Sequence, residues 1–143
     1  MHPVYDQDRI LKVLLDDSVY PLMGEDGMPN KEDFVFKTKD EVFFMDDDDR
    51  ACFIVYPFTS QIFWMHAHIL KHHRKDKYEI ANMFFDAVRK YTKATKLMAS
   101  VPELYKNIIA YSKNNDFKKV ATIEKCYMKN GDLHDTVLML KEL

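Results

Sequence analysis

His66 and His68 stand two apart in an apolar, aromatic run, residues 61–70. Alternate residues of an extended strand share a face, so both imidazoles point the same way. An unperturbed imidazole titrates near pH 6.5, which lets either one accept the proton of an amine at neutral pH. The plainer reading is two hydrogen-bonded histidines on a partly exposed sheet face. Immediately after them come Lys71, Arg74, Lys75 and Lys77, a cluster suited to phosphate oxygens or, with equal simplicity, to a solvated turn. His66, His68, His72 and His73 have the right donor type for a metal. Their spacing is not that of a zinc site, and adjacent histidines in a strand or turn point apart. Residues 46–49 are four aspartates, yet they lack the glycine and distal glutamate of a calcium loop, so a solvated hairpin tip is expected.

The elements that must position these groups follow from hydrophobic period. Asp6 or Asp8 can cap a first helix, with Ile10, Leu11, Val13, Leu14 and Leu15 recurring near 3.6 residues and an end near Asp17. Residues 20–30 hold two glycines and two prolines and form a turn-rich connection. Residues 41–45 and 51–56 are β-branched and aromatic, and they read as a hairpin across residues 46–50. A third strand, residues 61–70, leads through the basic turn into a helix over residues 78–92, with Ile80, Met83, Phe84, Ala87, Val88 and Tyr91 inward. A short strand at residues 96–100 follows. Pro102 suits the first turn of a further helix that buries Leu104, Ile108, Ile109 and Tyr111 and stops near Asn114. Residues 120–128 and 133–140 are strands on either side of Asn130-Gly131, a pair that tolerates the positive φ of a tight hairpin. Phe34, Phe36, Phe43, Phe44, Phe53, Phe58, Phe63 and Trp64 are expected to be chiefly core. The expected class is α+β, with a mostly antiparallel mixed sheet flanked by helices and one βαβ unit in the middle.

This order of elements, with the histidine-bearing strand and basic turn, resembles the Gcn5-related N-acetyltransferase (GNAT) fold, particularly its small members from tailed phages. The resemblance spans roughly residues 41–143. In that family an Arg/Gln-x-x-Gly-x-Gly/Ala turn opens the helix that holds the CoA pyrophosphate. Here Ile69 matches the strand end and Arg74 the leading position, while Lys77 and Glu79 replace the glycines. The resemblance implies acetyl-CoA as cofactor, seated between the strand ending at Ile69 and the strand at residues 97–100, with backbone amides of the first holding the carbonyl oxygen. Ile69, Arg74, Lys75, Lys77 and Tyr105 are then the cofactor-binding set, and His66, His68 and Tyr111 the catalytic set. Family members also carry an Asn, a helix-end Tyr and a Gly-Phe pair; their positions are occupied by Tyr105, Ser112 and Asp116-Phe117, so only the Phe is kept. Tyr111 lies one residue from the family's Tyr, about 100° around the helix.

Composition bounds the rest. The 143 residues, 47% apolar and 13% aromatic, suffice for one core, so one domain over residues 1–143 is expected. A net charge of −2 offers no global reason to bind nucleic acid or an anionic membrane. No apolar run reaches the roughly 18 residues of a membrane span. Cys52 and Cys126 form no CxxC, and the start Met1-His2-Pro3 has no signal-peptide pattern, so a reducing cytoplasmic setting is expected, in the host or the virion if phage-encoded. The functional expectation is acetyl transfer to a primary amine of a small molecule or protein. Its alternative is a phage structural or head-assembly protein, or a host-binding protein acting through the acidic hairpin, that keeps the scaffold without catalysis. A homodimer paired through the exposed edge of the last strand is a further expectation from the resemblance.

Overall fold

The computed structural model describes residues 1–36 and 39–143. Asp6 opens the first helix, α1 (Gln7–Leu14), by accepting the Asp8 and Arg9 amides at 3.0 and 3.3 Å. This satisfies two of the donors that every helix start leaves without a partner. Before it lies a strand absent from the sequence reading, β1 (His2–Val4), too short to carry a periodic signal. The hairpin β2 (Val42–Met45) and β3 (Ala51–Pro57), the histidine-bearing β4 (Ile62–Ile69), the helix α2 (Lys77–Tyr91) and β5 (Lys96–Pro102) follow. Helix α3 (Lys106–Asn114) then precedes β6 (Lys118–Lys129) and β7 (Asp132–Glu142). One mixed sheet runs β1-β2-β3-β4-β5-β7-β6, antiparallel except for β4 beside β5.

Both faces of the sheet centre are covered, which is why residues 51–55 are buried without alternation. Ala51, Phe53 and Val55 face α2, whose Ile80, Phe84 and Val88 meet Leu97 and Met139. Cys52 and Ile54 face α1 through Ile10, Val13 and Leu14. Burial also pushes the Cys52 thiol up to about 12, leaving it inert. On α2, Phe85 is buried against Phe117, ring centroids 6.2 Å apart, whereas Tyr91, expected inside, is exposed at the last turn. Of the aromatics expected in the core, Phe44 and Phe53 are enclosed, Phe34, Phe36, Phe43, Phe63 and Trp64 are half-buried, and Phe58 is exposed.

Pro102 corrects the sequence reading of α3. It closes β5 opposite Thr136 instead of opening the helix, because β7 extends the ladder that far and a strand-end proline forfeits little. Leu104 therefore lies in a turn, and the helix starts at Lys106. At the other end Asp116, in the family's glycine position, adopts φ 65°, a left-handed value that aspartate tolerates better than most residues. The Phe117 amide returns to the Ser112 carbonyl at 3.0 Å and the Asp116 amide to that of Lys113 at 3.0 Å, a Schellman closure without glycine. Buried Lys141 caps the same end, donating to the Asn115 carbonyl at 2.9 Å with its ammonium 4.7 Å from the Phe85 ring centre. The last strand is interior, between β5 and β6, so the edges of the sheet belong to β1 and β6.

The acidic hairpin is a second correction. Asp47 is solvated, but the Asp46 side chain is only 3% exposed, ion-paired with Arg50 and accepting its amide at 2.9 Å. Asp49 takes Arg9 through two nitrogens, at 2.9 and 2.7 Å. Half of the acidic block is therefore spent fastening α1 and β3 to the turn. Asp46→Ala should cost about 2–3 kcal/mol, the low side of breaking a buried pair because Arg50 keeps Glu79, while Asp47→Ala should stay within about 0.5 kcal/mol. Urea unfolding of the two variants makes the comparison.

Candidate functional site

Strands β4 and β5 pair only from Ile62↔Lys96 to Trp64↔Met98 and then part. Beyond that point β4 remains fully paired with β3, and β5 with β7. The splay opens into a cleft of about 400 Å³, lined by Met65 through Ile69 on one side and Ala99 through Pro102 on the other. That size suits an extended small-molecule arm. The backbone polar groups of β4 that face the gap have no β5 partner there, so they are available to a ligand.

Of the residues singled out from sequence, His66, His68, Ile69, Arg74, Lys77, Tyr105 and Tyr111 all line this cleft. Lys75 does not; its side chain is exposed on the outer side of a 3-10 turn, Lys71–Asp76, that precedes α2. Arg74, besides lining the cleft, has a structural task. Its guanidinium donates to the Ser18 carbonyl at 2.7 Å and the Ile69 carbonyl at 3.3 Å, tying the segment after α1 to the end of β4. Lys77 is the cation left facing the cleft, 5.3 Å from the ring centres of both Tyr78 and Tyr111.

The two glycine replacements have separate outcomes. Lys77 has ordinary helical angles, φ −56° and ψ −32°, so the turn needs no glycine to form; what the side chain costs is open space. Asp76 precedes α2 without a side-chain cap, so the positive end of the helix keeps its attraction for an anion. Glu79 does not oppose it from within the cleft. Its carboxylate turns outward, 3.4 Å from the Arg50 guanidinium.

His66 and His68 do share a face, with parallel rings 6.4 Å apart. His66 Nε2 lies 3.2 Å from the Tyr56 hydroxyl, a partner delivered by β3. His68 is half-buried in the cleft wall, and burial, assisted by His66, pushes its pKa down to about 3. It therefore stays neutral in the fold and is too weak a base to collect a proton at neutral pH. Sign follows from linkage: below about pH 6.5 the unfolded chain takes up a proton that folded His68 refuses until about 3, so stability falls as pH drops through that window. Wild-type protein should lose more unfolding free energy than His68→Gln between about pH 7.5 and about pH 5, measured by urea titration. Equal losses would show that His68 protonates freely.

Tyr111 and Tyr105 divide unexpectedly. The Tyr111 hydroxyl donates to the Lys77 carbonyl at 2.9 Å, and burial raises its pKa to about 12. The Tyr105 hydroxyl, just before α3, is buried without a hydrogen-bond partner among the described residues. Tyr127 of β6 is the phenol beside it, pushed upward by burial first and by Tyr105 next, through charge and an incipient side-chain hydrogen bond that falls short of good geometry. A buried unpaired hydroxyl costs about 1–3 kcal/mol, which a ligand's acceptor would recover.

Sequence reasoning missed Tyr56, Tyr127, Leu22 and Met23. The first two depend on strand register. The others depend on the 20–30 loop, which docks on the β6–β7 turn: Asp26 accepts the Asn130 and Gly131 amides at 3.0 and 2.9 Å, and Lys129 donates to Pro21 and Gly24 carbonyls at 2.8 Å. The loop thereby becomes a wall of the cleft. Its glycines and prolines signalled irregular structure but not where it would rest.

No known family profile and no curated protein sequence matches this chain. Solved structures match in shape at low identity. The smu.2055 protein of Streptococcus mutans superposes with a TM-score of 0.73 at 14% identity, covering 98% of this chain and 96% of that one. Arabidopsis thaliana NAA60, solved in complex with acetyl-CoA, gives 0.68 at 13%, covering 99% and 96%. The ribosomal-protein-S18-alanine N-acetyltransferase of Escherichia coli gives 0.68 at 9%, covering 98% and 90%. The fold is the GNAT fold, as its element order implied. Among the described residues no helix is long and apolar enough to cross a membrane.

Proposed function

We propose that this protein is an acetyl-CoA-dependent N-acetyltransferase acting on a primary amine. The observation that carries the reading is the β4–β5 splay opening on a cleft beside the start of α2, with Lys77 in its lining and the Glu79 carboxylate turned away to Arg50. The residues present fit such a cofactor: the helix start and Lys77 would hold its diphosphate, and the unsatisfied Tyr105 hydroxyl would bind its acyl-bearing arm. Acetyl-CoA, when bound, supplies a thioester whose acetyl carbon forms a bond to the amine nitrogen as the C–S bond breaks, the nitrogen losing one proton and the sulfur gaining one.

The chain's own part is positioning and charge. Free amides of β4 polarise the thioester carbonyl, and a fixed donor spends nothing on reorganising as negative charge grows there. His66, oriented by Tyr56, is the assigned acceptor of the amine proton; neutral His68 shapes the same wall. Tyr111 holds the α2 start through Lys77 rather than supplying a proton. Calorimetry with acetyl-CoA, followed by thiol release with added amines, tests the reading. Micromolar binding with amine-dependent thiol release supports it. Binding no tighter than millimolar would end it and leave a scaffold without catalysis, as in the phage-assembly or host-binding alternative.

A further inference from the structure

The charges lining the cleft restrict what can enter. Among the described lining residues the formal charges are those of Arg74 and Lys77, both positive, and no aspartate or glutamate contributes. The 20–30 loop contributes Leu22 and Met23 to this lining, and β6 contributes Tyr127. Glu25 and Asp26 stand next along the same loop, but neither lines the cleft: Glu25 accepts the Met128 amide through one oxygen at 2.8 Å, and Asp26 the two amides of the β6–β7 turn. Their field reaches Tyr127 only behind the larger effects of burial and Tyr105.

A reacting amine must be uncharged when its nitrogen attacks, so a cleft without carboxylates suits it. A second ammonium on the same molecule is different. It would meet a lining with two cations and no counter-charge, which weakens binding and returns nothing in the transition state. Apolar atoms beside the amine would instead gain by covering Leu22 and Met23.

We infer that the acceptor is a monoamine with an apolar or aromatic body, and that polyamines and aminoglycosides are excluded. This rests on the acetyltransferase reading. The test measures acetyl-CoA binding by calorimetry separately from turnover by thiol release, with phenethylamine and a methionyl dipeptide amide set against spermidine and kanamycin. The expected kcat/KM for the monoamines is at least about tenfold higher, the scale of one unpaired like charge. Leu22→Glu, at a position 46% exposed and so tolerant of substitution, supplies the missing carboxylate and should shift the monoamine-to-spermidine ratio at least about tenfold toward spermidine. Preferred use of spermidine by the parent, or a ratio unmoved by Leu22→Glu, would overturn the acceptor class while leaving acyl transfer intact. Failure to bind acetyl-CoA would overturn both together.

Discussion

Lys77→Glu is expected to weaken acetyl-CoA binding at least about a hundredfold while the protein stays folded. Two unit charges about 4 Å apart near a protein surface interact by about 4 kcal/mol at an effective dielectric of about 20. Reversing the charge removes an attraction and adds a repulsion, so even after screening about 3 kcal/mol, or roughly two decades in Kd, is a conservative loss. Stability should hardly change. The variant forfeits contacts with the Tyr78 and Tyr111 rings, worth about 0.5–1 kcal/mol each, but a glutamate in the first turn is favoured by the helix dipole. Lys77→Gln should lie between, and raising the salt should narrow its difference from the parent. An unaltered Kd for Lys77→Glu would mean that the diphosphate is not held at the start of α2. Arg74 is the wrong residue for this experiment. Arg74→Ala would release the Ser18 segment from β4, so lost binding would not separate charge from architecture.

The second large effect is on stability. Phe84 is fully buried, stacked on Phe53 with centroids 4.2 Å apart and 9° between planes, and edge-on to Phe44 at 5.9 Å. Phe84→Ala removes that ring from the seam between α2 and the sheet, with β3 on the other side unable to follow because α1 covers it. A loss of about 3–5 kcal/mol is expected, or a fall in Tm of roughly 10–15 °C for a chain of this size. Scanning calorimetry measures it. Phe84→Leu should lose about half as much, since the smaller void is partly refilled. A fall under about 1 kcal/mol for Phe84→Ala would show that α2 is not seated on the sheet through this ring.

These two experiments probe the start and the middle of one element, whose parts were unequally legible. The inward stripe of α2 follows from spacings of three and four, and Ile80, Phe84, Ala87 and Val88 are buried as that period requires. Tyr91 failed because the period continues past the edge of the surface that needs covering, and Phe85 was passed over because a second neighbour, Phe117, widens the buried arc. At the start of α2 the charges were visible but their assignments were not. Arg74 and Lys77 look equivalent in a basic turn, yet one reaches a carbonyl 56 residues away in sequence and the other faces the cleft. Likewise the aspartates of residues 46–49 read as a solvated tip, and only the approach of Arg9 from α1 shows that Asp49 is a fastener.

Local pattern alone determined the helices and strands other than β1 and the start of α3, that β4–α2–β5 forms a parallel crossover, that His66 and His68 share a face, and that cations gather before α2. Those properties are carried by near neighbours in the chain, through backbone period, turn chemistry and side-chain alternation. Tertiary structure decided that β7 lies inside the sheet and β6 at its edge, that Glu79 turns away to Arg50, that Tyr111 is tied to Lys77 while Tyr105 is unsatisfied, and that the 20–30 loop walls the cleft with apolar groups. Each of these is a choice among partners far apart in sequence. Register and packing settle such choices jointly, and no single segment contains the information.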